Sequence, residues 1–82
     1  MNTDTDYNNY FNTLHFGLMA EWAPIIDNPH TSAATIEEFA TELLFHNVSA
    51  VKCGAHDAAR KIRQSWAALR GAALIRAGHS LD

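Results

Sequence analysis

The spacing of apolar residues along the chain predicts three α-helices and no β-strand. Apolar positions recur every three or four residues, as on one helix face, and strand-type alternation is missing. Glycine and proline interrupt the pattern rarely, with four and two residues, and both prolines fall between residues 24 and 29. The pattern therefore predicts an all-α fold, a small three-helix bundle with a long C-terminal helix, as a single helical domain over residues 1–82.

The first predicted helix covers about residues 6–23. Its inward face follows helical spacing and consists of Tyr7, Tyr10, Phe11, Leu14, Leu18 and Trp22. We expect Pro24 to end this helix, because a proline disfavours helical geometry in the residue before it. A turn-rich connection follows over residues 24–32.

The second predicted helix covers about residues 33–47 and begins near Ser32 or Thr35. Thr35 followed three residues later by Glu38 fits a capping box, in which each side chain bonds the other residue's backbone N–H. The inward stripe of this helix is Ile36, Phe39, Ala40 and Leu43.

The third predicted helix covers about residues 49–77, with Ser49 as its cap and Gly78 as its stop. Its apolar seam is Ala55, Ala59, Ile62, Trp66, Leu69, Ala73 and Ala77. Most of these residues are alanines, so a neighbouring helix can approach closely. Gly54 costs a helix about 1 kcal/mol relative to alanine. A break at Gly54, with Asp57 capping the second piece, therefore stays open.

Charge is sorted along the chain. Residues 1–50 contain seven acidic residues and no lysine or arginine, a net charge of −7. Residues 51–82 contain six basic and two acidic residues, a net charge of +4. The two halves either neutralise each other within the fold or offer opposite charges to partners.

The basic half places three arginines on one edge of the third predicted helix. Arg60, Arg63 and Arg70 fall within about 80° of one another around the helix axis, beside Trp66. Aligned guanidinium groups beside an aromatic ring suit a partner's carboxylates or phosphates. The alternative is a solvated face whose arginines pair with Glu38 and Glu42.

A second candidate surface lies on the outward side of the second predicted helix. Glu38, Glu42 and Phe45 cluster there, and an aromatic residue at the edge of an acidic patch is typical of a protein interface. The alternative is that Phe45 belongs to a second core layer.

The candidate chemistry for metal binding or catalysis is sparse, and we predict no cofactor, no metal site and no enzymatic activity. His46, Cys53 and His56 lie within eleven residues, but a closed zinc site needs four ligands, usually with further cysteines, and Cys53 is the one cysteine. Cys53 and His56 lie three apart without an evident oxyanion site.

The composition indicates a cytoplasmic protein that does not enter a membrane. No apolar run approaches the roughly 20 residues that a membrane-spanning helix needs, and one cysteine cannot form an intramolecular disulfide. With 48% hydrophobic and 18% charged residues, the chain favours a partner protein or a homodimer over a free monomer.

A compact, acidic, cysteine-poor helical chain of under 100 residues without a catalytic motif resembles the small accessory proteins of phages and mobile elements. These include anti-CRISPR and other anti-defence inhibitors, and the likeness rests on size and composition, not on matched residues. We therefore expect a non-enzymatic protein–protein interaction module that binds and blocks or modulates a larger protein. The alternative is a small nucleic-acid-binding regulator using the basic C-terminal helix; its rank is lower because the whole chain is acidic.

Overall fold

The computed structural model describes the backbone of residues 3–78 and the side chains of residues 6–78. These residues form three helices, α1 (Thr3–Asp27), α2 (Ala33–Lys52) and α3 (His56–Arg76), and no strand. The all-α prediction is confirmed for this part of the chain. The long C-terminal helix is not, because α1, α2 and α3 contain 25, 20 and 21 residues.

A glycine turn separates α2 from α3 where the sequence left a break open. Gly54 has a φ of +77°, a conformation that glycine adopts without steric cost. The Ala55 N–H donates to the Ala50 carbonyl at 2.8 Å, and the Gly54 N–H donates to the Val51 carbonyl at 3.0 Å, which together form a Schellman motif. The prediction of one helix over residues 49–77 was therefore wrong. Asp57 lies in the first turn of α3 and is not its cap.

The helix α1 passes through Pro24 and ends only at Asp27, so the predicted end at residue 23 was wrong. Pro24 has no N–H, so the Ala20 carbonyl lacks its usual helical donor. Both residues are exposed, so water can satisfy that carbonyl. Later carbonyls of the helix have partners: the Thr31 hydroxyl donates to the Ile25 carbonyl.

Ser32 is the N-cap of α2. Its hydroxyl oxygen accepts a hydrogen bond from the Thr35 N–H at 3.2 Å, and the two hydroxyl oxygens lie 3.0 Å apart. Of the two starts that the sequence allowed, the structure therefore has Ser32, and Thr35 is the third residue of the helix. This start places Ile36, Ala40 and Leu43 in the core, as predicted.

Small residues form the contact between α2 and α3, which approach each other more extensively than either approaches α1. Six of the twelve buried hydrophobic residues are alanines, so the two backbones come close together. The larger buried side chains between them are Ile36, Leu43, Ile62 and Leu69. The predicted seam of α3 is largely confirmed; Trp66 is only partly buried and Ala77 is exposed.

The helix α1 packs against this pair through two buried aromatic residues, Phe11 and Trp22. The Trp22 ring stacks on the Phe39 ring of α2, with centroids 4.6 Å apart and planes inclined by 10°. Phe11 and Trp22 of the predicted inward face are buried, and Leu14 and Leu18 pack against the core. The prediction was wrong for Tyr7 and Tyr10, which are 44% and 62% exposed.

The contact stripe of α1 contains polar residues at seven-residue intervals. The Asn8 side-chain oxygen accepts a hydrogen bond from the Ala58 N–H at 3.0 Å and so caps the first turn of α3. One heptad later, His15 Nε2 is hydrogen-bonded to Ser65 Oγ at 2.7 Å. Trp22 follows after a further heptad. Two of these three contacts are polar, so hydrophobic spacing alone did not identify them.

Arg76 joins the end of α3 to the connection between α1 and α2. Its guanidinium donates to the carbonyl oxygens of Ile26 at 2.6 Å, Asn28 at 2.8 Å and Thr31 at 2.9 Å. A cation is favourable here because the carbonyls at the end of α1 form the negative end of its helix dipole.

We expect Asn8→Ala to lower the free energy of unfolding by about 1 kcal/mol, because the first turn of α3 loses its cap. Asn8→Asp keeps an acceptor oxygen and should retain most of the stability. Urea denaturation measures both, with Asn9→Ala on the exposed side of α1 as the matched control. A loss no greater for Asn8→Ala than for Asn9→Ala would show that the contact does not stabilise the fold.

Candidate interaction surface

The arginine edge of α3 is partly neutralised by acidic residues other than the ones expected. Arg70 Nη1 lies 3.2 Å from Glu37 Oε1 on α2, and Arg60 Nη2 lies 2.8 Å from Asp57 Oδ1 one turn earlier on α3. The expected pairing with Glu38 and Glu42 is not formed, because Glu37 is the acidic residue on the side of α2 that meets this edge. Arg63 makes no ion pair within the described part of the chain.

Trp66 packs partly against the hydrophobic core, so it is not a freely exposed ring beside the arginines. Trp66 follows Ile62 by four residues and precedes Leu69 by three, so it lies on the same inward side of α3 as these two buried residues. The structure therefore brings Arg63 and Arg70 to the surface and places Trp66 against the core.

The outer ridge of α2, defined by Glu38, Glu42 and Phe45, is exposed in all three of its residues. Phe45 has 70% of its surface exposed, so the alternative of a second core layer is wrong. The Glu42 carboxylate lies 3.9 Å from His46 Nε2, one turn later on the same helix. This ridge points away from the helix pair and is the second surface that the sequence indicated.

Sequence reasoning missed a set of exposed apolar residues along the outer side of the α2–α3 pair. On α2, Glu37, Leu44, Val48 and Val51 follow steps of seven, four and three residues and so share one stripe. On α3, Arg63, Ala67, Arg70 and Leu74 follow steps of four, three and four residues and share another. The ion pair between Glu37 and Arg70 brings the two stripes together. We call the surface formed by these eight residues the outer groove.

The helix α1 lies on the other side of the helix pair and leaves the outer groove uncovered. On α2, Phe39 contacts α1 and lies about 140° from Leu44 around the axis. On α3, Ser65 contacts α1 and lies about 160° from Arg63. Leu44, Val48, Val51 and Leu74 are accordingly 43%, 45%, 49% and 37% exposed.

Spacing rules could have indicated the outer groove. Leu44, Val48 and Val51 repeat at steps of four and three, but they border the inward stripe of α2 and look like an extension of it. The Glu37–Arg70 pair fixes the rotation of α2 against α3 and so shows that these residues lie on the outer side of the helix pair.

The pair formed by His15 and Ser65 has the separation of a base and a nucleophile but lacks other parts of a catalytic site. A catalytic imidazole is usually oriented by a third group, and among the described residues no carboxylate bonds His15. Burial, and secondarily the positive charge of Lys61, lowers the pKa of His15 below its usual value of 6.5. The pair connects α1 to α3 with a neutral imidazole.

Other candidate sites carry little chemistry. Residues 6–78 contain no group of three or more histidine, cysteine or acidic side chains arranged to hold a metal ion. A depression on α1 opens to solvent and is lined by residues of that helix alone: Asp6, Asn9, Tyr10, Thr13 and Leu14. In the described range, none of the three helices has the length and apolar character needed to cross a membrane.

Comparison of the chain with protein-family models, with curated protein sequences and with solved structures finds no match.

We expect the free energy of unfolding to fall as the pH drops from 7.5 to 5, in part because of His15. Its pKa is lower in the folded state, so the unfolded chain binds more protons below pH 6.5. The contribution of the neutral His15 to the free energy of unfolding is fully present above pH 6.5. It is lost as the pH falls through the folded pKa. Denaturant melts at several pH values should show a smaller fall for His15→Gln than for the natural chain.

His30→Gln is the control, because His30 is exposed in the connection between α1 and α2 and its ring makes no hydrogen bond to residues 6–78. It should show the same fall with pH as the natural chain. Equal pH profiles for His15→Gln and the natural chain would contradict the role given to His15.

Proposed function

We propose that this protein is a non-enzymatic protein–protein interaction module that binds a larger protein and blocks or modulates it. The observation that carries the proposal is the outer groove, where Leu44, Val48 and Val51 of α2 form a row of side chains that are 43%, 45% and 49% exposed. Leu74 of α3, 37% exposed, lies beyond the Glu37–Arg70 pair. A contiguous apolar surface edged by charged residues is typical of an interaction site. The action would be occlusion of the partner's own site, as in the phage and mobile-element inhibitors that the chain resembles.

The groove has the composition of a binding surface. Its centre is aliphatic, and its edge carries the guanidinium groups of Arg63 and Arg70, which suit carboxylates on a partner. A residue near the centre of such a surface would be expected to cost about 2 kcal/mol or more of binding free energy on truncation. Val48 holds that position, between Leu44 and Val51.

The remaining predicted partner-binding residues surround the groove or support it. Phe45 projects from the outer ridge next to the groove, with Glu38 and Glu42 farther round the helix, and these three form a second contact surface in the proposal. Arg60 lies at the edge of the α3 stripe, beside its ion pair with Asp57. Trp66 packs against the core beside the α3 stripe.

Nucleic-acid binding is the weaker alternative. Arg60 and Arg70 already pair with Asp57 and Glu37, and the chain carries a formal net charge of −3. Proteins that bind nucleic acid through phosphates usually present an unneutralised basic surface. We expect no binding to labelled DNA or RNA in fluorescence anisotropy at 200 mM salt, and binding that persists there would favour the alternative.

The proposal predicts that one partner protein is captured from a lysate of the native host in a manner that depends on the outer groove. Val48→Lys places a charge at the centre of the groove, so we expect at least a tenfold loss of captured partner by quantitative mass spectrometry. The exposed α1 residue Ala20 gives the matched control Ala20→Lys, which should capture the partner as the natural chain does.

One further variant separates the two surfaces. Phe45→Ala tests the outer ridge. The loss of captured partner that it causes, compared with the loss for Val48→Lys, shows whether the ridge or the groove contributes more to binding. Circular dichroism verifies that each variant is folded. A partner retained by Val48→Lys, or no protein enriched over the background, would overturn the proposal.

A further inference from the structure

We infer that the occupant of the outer groove is an amphipathic α-helix of another protein, with acidic side chains beside its apolar stripe. The inference rests on the proposed function and specifies the chemistry of the partner at the same surface. Three observations support it: the shape of the groove, the balance of charge around it and the positions of the remaining acidic residues.

The shape of the groove fits a helix. Two closely packed, sequential helices form its walls, and α1 covers their opposite side, so an added helix would complete a four-helix arrangement. From Glu37 to Val51 the wall rises by about 21 Å at 1.5 Å per residue, which corresponds to roughly four turns of a bound helix. Side chains spaced three and four residues apart on that helix would meet Leu44, Val48 and Val51.

The charge around the groove is positive. Arg63 and Arg70 lie on the α3 stripe, and Glu37 is the acidic residue of the α2 stripe, already paired with Arg70 at 3.2 Å. Arg63 makes no ion pair within residues 6–78. An acidic side chain on the bound helix would therefore meet an uncompensated guanidinium, whereas a basic side chain would meet like charge.

The acidic residues nearby do not line the groove. Around the axis of α2, Glu38 lies about 100° beyond Glu37, and Glu42 lies about 160° from Leu44. A second copy of this chain seated through the same surface would bring two further arginines and, among the eight residues of the groove, only the carboxylate already paired with Arg70. Complementary charge thus favours a different, acidic chain over self-association.

Selection from a library of helical peptides tests this chemistry while the partner is still unidentified. The library displays 18-residue helices with leucine fixed at positions three and four apart and with random polar residues beside that stripe. The purified, full-length protein is the target. We expect aspartate and glutamate to be enriched several-fold over lysine and arginine at the flanking positions.

The enriched peptide is then synthesised, and its affinity is measured by fluorescence polarisation at pH 7.5. We expect Arg63→Glu to weaken binding at least tenfold and Val48→Lys to abolish it. Lys61→Glu is the charge-matched control, because Lys61 is an exposed residue of α3 about 160° from Arg63. It should change the affinity less than twofold.

Several outcomes would overturn the inference: enrichment of basic or uncharged flanks, no enrichment at all, or binding that Val48→Lys leaves intact. A concentration-dependent dimer in sedimentation equilibrium that Val48→Lys dissociates would assign the groove to a second copy instead. If the groove-dependent partner is captured from the host but acidic peptides fail, the proposed function stands and only the helix chemistry is wrong.

Discussion

The close approach of α2 and α3 along their alanines is the constraint on which the rest of the structure depends. It requires a chain reversal at Gly54, where φ is +77°, and it leaves a core with little bulk, since half of the buried hydrophobic residues are alanines. Each missing methylene forgoes about 0.8 kcal/mol of burial free energy. The pair therefore needs α1, which adds Phe11, Trp22 and two polar contacts, and the Arg76 guanidinium fixes the end of α1 through three carbonyls.

One helix can cover only one side of a two-helix layer. The polar contacts of Asn8 and His15 hold α1 on the side of Ala58 and Ser65, so the stripe of Leu44, Val48 and Val51 on the opposite side stays exposed. The separation of charge along the sequence has a related result. Glu37 neutralises Arg70 between the helices, whereas Arg63 keeps its charge at the edge of the apolar surface. The exposed apolar stripe and the Arg63 guanidinium thus occur together.

Most of the fold could be predicted from hydrophobic spacing, and most of the candidate surface could not. Apolar periodicity identified three helices and the inward stripe of α2, and Gly78 stops α3 with a φ of +85° as expected. On α1, spacing identified Phe11 and Trp22 as inward residues but missed Asn8 and His15, because the contacts of these two are polar. Similarly, the pairing of Arg70 with Glu37 depends on the relative rotation of α2 and α3, which no local pattern encodes. Exposure of Phe45 was one of two alternatives that the sequence left open.

The most direct measurement of the central claim is the accessibility of adjacent leucine methyl groups in the free protein. Leu43 is fully buried between the helices, and Leu44 is 43% exposed in the outer groove. A soluble gadolinium chelate broadens the NMR signals of methyl groups that it can approach. The account predicts strong broadening for Leu44, Val48 and Leu74 and little for Leu43 and Leu69, at every protein concentration. Equal protection of Leu43 and Leu44 would show that the groove is already covered and would contradict the account.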